Sequence, residues 1–357
     1  MARPSSSKTS SKDSKPPVIP PADAPKLTQE SFEKELKALA SKAKEETWSK
    51  WAVEQSWVLV QSGTLLTLAA IYSNVSQLTL SPVFGSIPSS IWHSKGVMAA
   101  CFLGWSSNLF LRRNLPVKPQ LLLPLIAAYI PVMQFFLFKT SGFLGANFGP
   151  PIIESFTFFP LLLLSVSCTA TILDDLEMNP GRFQWLSEAA PGILSYAFYK
   201  TMENVSGTSI TRTIGASFIQ TRLGLQILMA GIYSIFAPSK LVLYAIPALL
   251  HTLLYNIHVP LPYTTNSLNT TMNARGWSLI DRQESLTGYI SIIESKEKGF
   301  RAMRCDHSLL GGEWLPSGKN RLLLAEPIYA IFVMLEAVRL VEVPVAIPDS
   351  EASALVM

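Results

Sequence analysis

Apolar residues run in long stretches through the first two-thirds of the chain and in short alternating stretches afterwards, which predicts helices first and strands later. Runs approaching the roughly 20 residues that a membrane-crossing helix needs extend from Trp57 to Tyr72, Ile91 to Leu111, Leu121 to Phe138, Ile152 to Leu173, Phe218 to Phe236 and Leu241 to Ile257. The expected fold class is a mainly α membrane protein of about six transmembrane helices, followed by a small α+β module. A seventh run, residues 191–199, is too short to cross and is read as a surface or re-entrant helix.

The same pattern divides the chain. Residues 1–27, rich in Ser, Lys and Pro, cannot bury enough apolar surface to order themselves and form a disordered tail. In residues 28–56, Phe32, Leu36, Leu39 and Ala43 recur at helical spacing, so an amphipathic helix leads to Trp48, Trp51 and Trp57 at a headgroup boundary. Residues 57–258 are the multi-pass domain and 259–275, with Thr264 to Thr271, a polar linker. Residues 276–320 form an antiparallel meander with strands Gly276 to Arg282, Gly288 to Glu294 and Gly299 to Asp306. A core helix occupies 321–342, with Pro327 suited to its first turn. Residues 343–357 end in Ala354 to Met357, the first strand of a Rossmann-like adenosyl-cofactor domain that is otherwise absent.

Composition sharpens this picture. An apolar content of 48% against 15% charge points to a lipid bilayer as partner, and a net charge of +4 without a basic block excludes nucleic acid. Arg112, Arg113 and Lys118 share one side with Arg182, Lys200 and Arg212, which places the C-terminal module in the cytosol and leaves the organelle open. The sequons at Asn74, Asn204 and Asn269 would report that sidedness. Cys101, Cys168 and Cys305 are too scattered for a disulfide framework.

Two charges interrupt the apolar runs, Glu154 and Arg222, and mark either an intramembrane polar site or side chains that snorkel to an interface. Asp174, Asp175 and Glu177 could hold Mg²⁺ and a diphosphate, yet no second acidic motif faces them, so a hydrated loop is the better reading. His93, His251 and His258 are scattered, and His307 lacks a second ligand pair, so no metal site is expected.

The order of a strand, Glu284-Ser285, a strand opening with Gly288-Tyr289-Ile290, a strand ending in Cys305-Asp306-His307, the turn Gly311-Gly312-Glu313-Trp314 and a helix containing Tyr329 resembles the N-terminal β-module of spermidine and spermine synthases. A membrane-fused branch, with fungal members, extends the likeness to the apolar half. The resemblance implies aminopropyl transfer from decarboxylated S-adenosylmethionine, or a related adenosyl cofactor, to a polyamine in a full-length relative. It implies no catalytic and no cofactor-binding residue in this chain, and a polyamine partner only where the catalytic half is present. Asp306 and Tyr329 carry over as substrate-binding positions, whereas Gly288, His307, Ala330 and Ile331 depart from the pattern. Read as residues alone, Asp306 caps a turn and Tyr329 is a helix aromatic. A noncatalytic membrane scaffold, or a small-molecule transporter built on Glu154 and Arg222, is the alternative, and a homo-oligomer is compatible with each.

Overall fold

In the computed structural model, the structure describes residues 29–176, 184–306, 308–315, 326–327, 348 and 351. The tail 1–27, the helix 321–342 with Tyr329, His307 and the strand 354–357 lie outside them. The chain divides into two compact units, Met1–Gln55 and Ser56–Met357. The first is helical from Gln29, with Trp48 and Trp51 packed edge to face at 5.4 Å.

Helices α1 (Gln29–Phe84), α2 (Ser86–Ser106), α3 (Asn108–Asn114), α4 (Pro119–Leu137), α5 (Ser141–Phe156), α6 (Phe158–Leu173), α7 (Gln184–Thr213), α8 (Arg222–Phe236), α9 (Ile246–Leu254) and α10 (Pro262–Asn273) follow in chain order. Within the second unit, α4 packs between α6 and α8, and α2 lies on α5 and α6. Tyr72, Leu123, Ile130, Phe158, Leu161 and Tyr233 fill the shared core. The exterior keeps large apolar side chains exposed, Phe102, Phe143, Ile235 and Leu243 among them, while Ser73, His93, Glu154 and Gln226 are buried.

The expectation of about six membrane-crossing helices is corrected. Two helical stretches among the described residues, Trp48–Phe84 and Pro119–Phe156, are long and apolar enough by length and composition. Three of the other apolar runs are broken by backbone geometry that composition does not show. The run 152–173 is cut at Thr157 (φ −121°, ψ −85°) into α5 and the 16-residue α6. Only 15 residues of the run 218–236 are helical, as α8. The run 241–257 begins as a 3₁₀ turn, Lys240–Ala245, and continues as the nine-residue α9. His93 and Lys95 lower the hydropathy of α2. The multi-pass placement, and the cytosolic side assigned to the module, are corrected on the same finding. Residues 191–199 lie within the 30-residue α7.

The described strands, β1 (Ser278–Glu284), β2 (Tyr289–Ser295), β3 (Phe300–Cys305), β4 (Ser308–Trp314) and the two-residue β5 (Glu326–Pro327), pair antiparallel in that order. Alternation explains the apolar face that meets α10: Leu279, Ile293 and Ala302 point inward and pack with Leu268 and Met272. The polar stretch 259–275 therefore contains a helix that covers the sheet.

Candidate functional site

A cavity of about 390 Å³ opens where the ends of α1 and α4 and the start of α8 meet the β1–β2 hairpin. The start of α8 is fixed by Thr221, whose hydroxyl accepts the Gly224 N–H at 3.1 Å as an N-cap. That cap sets Arg222 at the junction. Its Nε donates to the Leu78 carbonyl at 2.7 Å and its Nη2 to the Ser285 carbonyl at 2.9 Å, while Nη1 lies 3.3 Å from Glu284 Oε1. The Arg222 backbone N–H donates to Glu284 Oε2 at 2.7 Å, so one carboxylate takes up both the cation and a free helix N–H. Burial, opposed by Arg222, holds the Glu284 carboxyl above its ordinary value. Gly215 lies against this corner with φ +82°, and a Cβ there would stand 2.3 Å from the Glu284 carbonyl oxygen.

A second arginine joins the hairpin to the loop after α9. Arg282 donates to the carbonyls of Ile257 at 2.6 Å and Val259 at 2.9 Å, and to Thr265 Oγ1 at 3.0 Å. This brings His258 to the rim. Crowding by protein and then the Arg282 charge lower its pKa below 6.5, against the pull of Asp306, and its exposed edge limits the drop. The ring is neutral at neutral pH.

Asp306 closes β3 in a left-handed conformation (φ 49°), which aspartate tolerates better than most residues. Its Oδ1 accepts the Tyr289 N–H at 2.9 Å, and its own N–H donates to the Tyr289 carbonyl at 3.0 Å. The approach demands glycine opposite, because a Cβ on Gly288 would fall 1.9 Å from Asp306 Oδ2. No cation pairs with Asp306 among the described residues, since Arg222 is taken by Glu284. Two lining residues also carry a buried polar atom without a hydrogen-bond partner: the Tyr289 hydroxyl and the Gln134 amide nitrogen. Burial pushes the Tyr289 phenol up to about 12, with Arg282 pulling it down.

The two intramembrane candidates are not brought together. Arg222 belongs to this cavity, whereas Glu154 sits in a separate buried chain of hydrogen bonds. Glu154 Oε1 lies 2.6 Å from His93 Nδ1 and accepts from Ser76 at 2.8 Å, while Oε2 has no partner. Ser73 Oγ stands 2.7 Å from His93 Nε2 and donates to Glu203 Oε1 at 2.6 Å; Lys200 pairs with Glu203 beyond it. Because Ser73 spends its one hydrogen on Glu203, its lone pair faces His93 Nε2, while Nδ1 faces the Glu154 carboxylate, so both ring nitrogens meet acceptors. A serine–histidine–glutamate order suggests nucleophilic catalysis, but these side chains are buried and do not line the cavity.

Of the acidic cluster, Asp174 lies 3.9 Å from Arg112, and no group of metal-binding side chains occurs among the described residues. Sequence reasoning passed over Gln134, Gln226, Glu284 and Tyr289. The signal for the two glutamines was present, an amide inside each of two apolar runs.

Compared with known proteins, the chain is 43% identical over 297 residues to the N-terminal histidine N-methyltransferase of Emericella nidulans, covering 82% of this chain and 53% of that protein. The chain thus spans about half the length of the curated relative that it matches. No family model and no solved structure matches. The likeness to polyamine synthases is corrected by this finding, as is the aminopropyl-transfer reading with its polyamine substrate: identity this extended, to a protein of another transfer chemistry, outweighs a motif-level match over one short module.

Proposed function

We propose that this chain is the acceptor-binding part of an N-methyltransferase that acts on the amino-terminal histidine of a polypeptide, with an adenosyl methyl donor such as S-adenosylmethionine. The observation that carries the reading is the identity of 43% over 82% of the chain. The cavity supports it: an uncompensated carboxylate, a neutral imidazole and two unpartnered polar atoms suit a small cationic acceptor with hydrogen-bonding groups.

The described residues do not fit the donor itself. An adenosyl group is held at a glycine-rich turn from a strand into a helix, with the helix N-terminus behind it. Here the described strands pair antiparallel in sequence order, and no helix follows a strand among them. No transfer step is therefore assigned to these residues. Their part is to seat the acceptor and manage its charge: Asp306 as counter-ion at the rim, Glu284 held by Arg222, and His258, a neutral imidazole that adds no competing positive charge.

The protein expressed from its complete coding sequence, given methyl-labelled S-adenosylmethionine and a peptide that begins with histidine, is expected to add label to the first residue, located by fragmentation mass spectrometry. Unlabelled peptide from a preparation that binds the donor would refute the reading.

A further inference from the structure

The cavity contains an unusual pair of amides. Gln226 Nε2 donates to Gln134 Oε1 at 2.7 Å, and both side chains are buried, at 0% and 2% exposure. Gln134 Nε2 and Gln226 Oε1 have no partner. Turning both amides over restores the same single bond and leaves Gln134 Oε1 unpartnered instead. In either orientation Gln134, which lines the cavity, keeps one buried polar atom without a partner in the protein. Tyr289 presents a second such atom from the sheet side. Between them the walls are flat and apolar: Pro131 and Phe135 from α4, Phe138 from the turn after it and Leu223 from α8. The volume lies at the low end of the roughly 300–1,000 Å³ of small-ligand sites, room for about one residue and its first peptide unit.

We infer that this cavity seats the acceptor's first residue, with the Gln134 carboxamide bonding a ring nitrogen of its imidazole between the apolar walls and the Asp306 carboxylate holding its α-ammonium. The assignment rests on the reading under Proposed function and adds which atoms recognise the substrate. A neutral imidazole carries one N–H and one lone pair. Gln134 can meet either, as donor in one orientation and as acceptor in the other, and the Tyr289 hydroxyl can likewise donate or accept. A phenylalanine or leucine of similar bulk would fill the walls but leave both polar atoms unpartnered, and selectivity for histidine follows from that difference. Asp306 recognises a different feature, the free amino terminus, through the oxygen not already bonded to the Tyr289 N–H.

The test uses the protein expressed from its complete coding sequence and three short peptides of otherwise equal sequence: histidine first, phenylalanine first, and histidine first with an acetylated amino terminus. Dissociation constants come from calorimetry, and methyl transfer to the first peptide is measured on the same preparation. Wild type is expected to bind the histidine peptide about tenfold or more tightly than either control. Gln134→Leu should lose the preference over phenylalanine while keeping the preference over the acetylated peptide. Asp306→Asn should do the reverse. Gln134→Met, close to glutamine in volume, should match Gln134→Leu; both strand the buried Gln226 amide and lower the unfolding midpoint somewhat, and the retained preference over the acetylated peptide shows that the folded site is kept. A Gln134→Met protein that still prefers histidine, in a preparation whose wild type methylates the peptide, overturns this inference and leaves the function standing. A wild type that neither binds nor methylates the peptide overturns both.

Discussion

Arg222 and Glu284 join the helical part of the second unit to the hairpin, and their removal is expected to be unequal. Arg222→Met keeps the stem but strands the Glu284 carboxylate, whose side chain is 7% exposed, and frees the Leu78 and Ser285 carbonyls. Leaving a buried charge without its partner costs about 3–5 kcal/mol. Glu284→Gln also removes the counter-ion of a buried cation, but it keeps an oxygen for the Arg222 backbone N–H and leaves the guanidinium its two carbonyls, so the loss is smaller, about 1–3 kcal/mol. The double variant should be about 2 kcal/mol more stable than Arg222→Met alone, because the stranded charge is gone. Urea unfolding at constant m-value reads all three. Acidity gives an independent check. The Glu284 carboxyl is raised above 4.5 by burial, so its contribution to stability is present below that value and is lost as pH rises through the raised one. Glu284→Gln should remove that part of the pH slope. An Arg222→Met that costs less than Glu284→Gln would refute the argument, since the carboxylate would then not depend on its cation.

Further outcomes are expected at neighbouring positions. Gly288→Ala must push Asp306 away, because the added carbon would sit 1.9 Å from Oδ2; a loss of about 1–3 kcal/mol in urea unfolding is expected, with weaker binding of free amino termini. Tyr289→Phe deletes a buried hydroxyl that makes no close hydrogen bond and has the Arg282 guanidinium near it, so the ligand-free stability should change by less than about 1 kcal/mol, and a fall of more than about 2 kcal/mol would refute that reading. His93→Phe strands Glu154, which is 0% exposed, at about 3–5 kcal/mol, whereas adding Glu154→Gln should recover much of that loss in the same unfolding assay.

The sheet was legible because its signal is local. Tyr289 to Glu294 is β-branched or aromatic at most positions, and the turns at Glu284-Ser285 and Lys296 to Gly299 separate runs that now lie on β1, β2 and β3. The helices were harder to read, because hydropathy counts apolar residues without registering where the backbone turns. Thr157 cuts one run in two, and the segment 214–221 delays α8 until its Thr221 cap. Conversely, the polar stretch Thr264 to Thr271 reads as linker by composition but is a helix, because its one apolar stripe, Leu268 and Met272, has the sheet to cover.

The site divides along the same line. Asp306 and Arg222 could be singled out from sequence, one by its place after a strand and the other by its charge in an apolar run. What they do could not, since it depends on partners far away in the chain. Arg222 meets Glu284 across 62 positions, and Gln134 meets Gln226 across 92. The physical sign common to these residues is a polar group that the surrounding apolar pattern cannot satisfy locally. Arg222 finds its partner inside the fold. Gln134 finds half of one, and the unmatched half is the ground on which a ligand is inferred for the cavity.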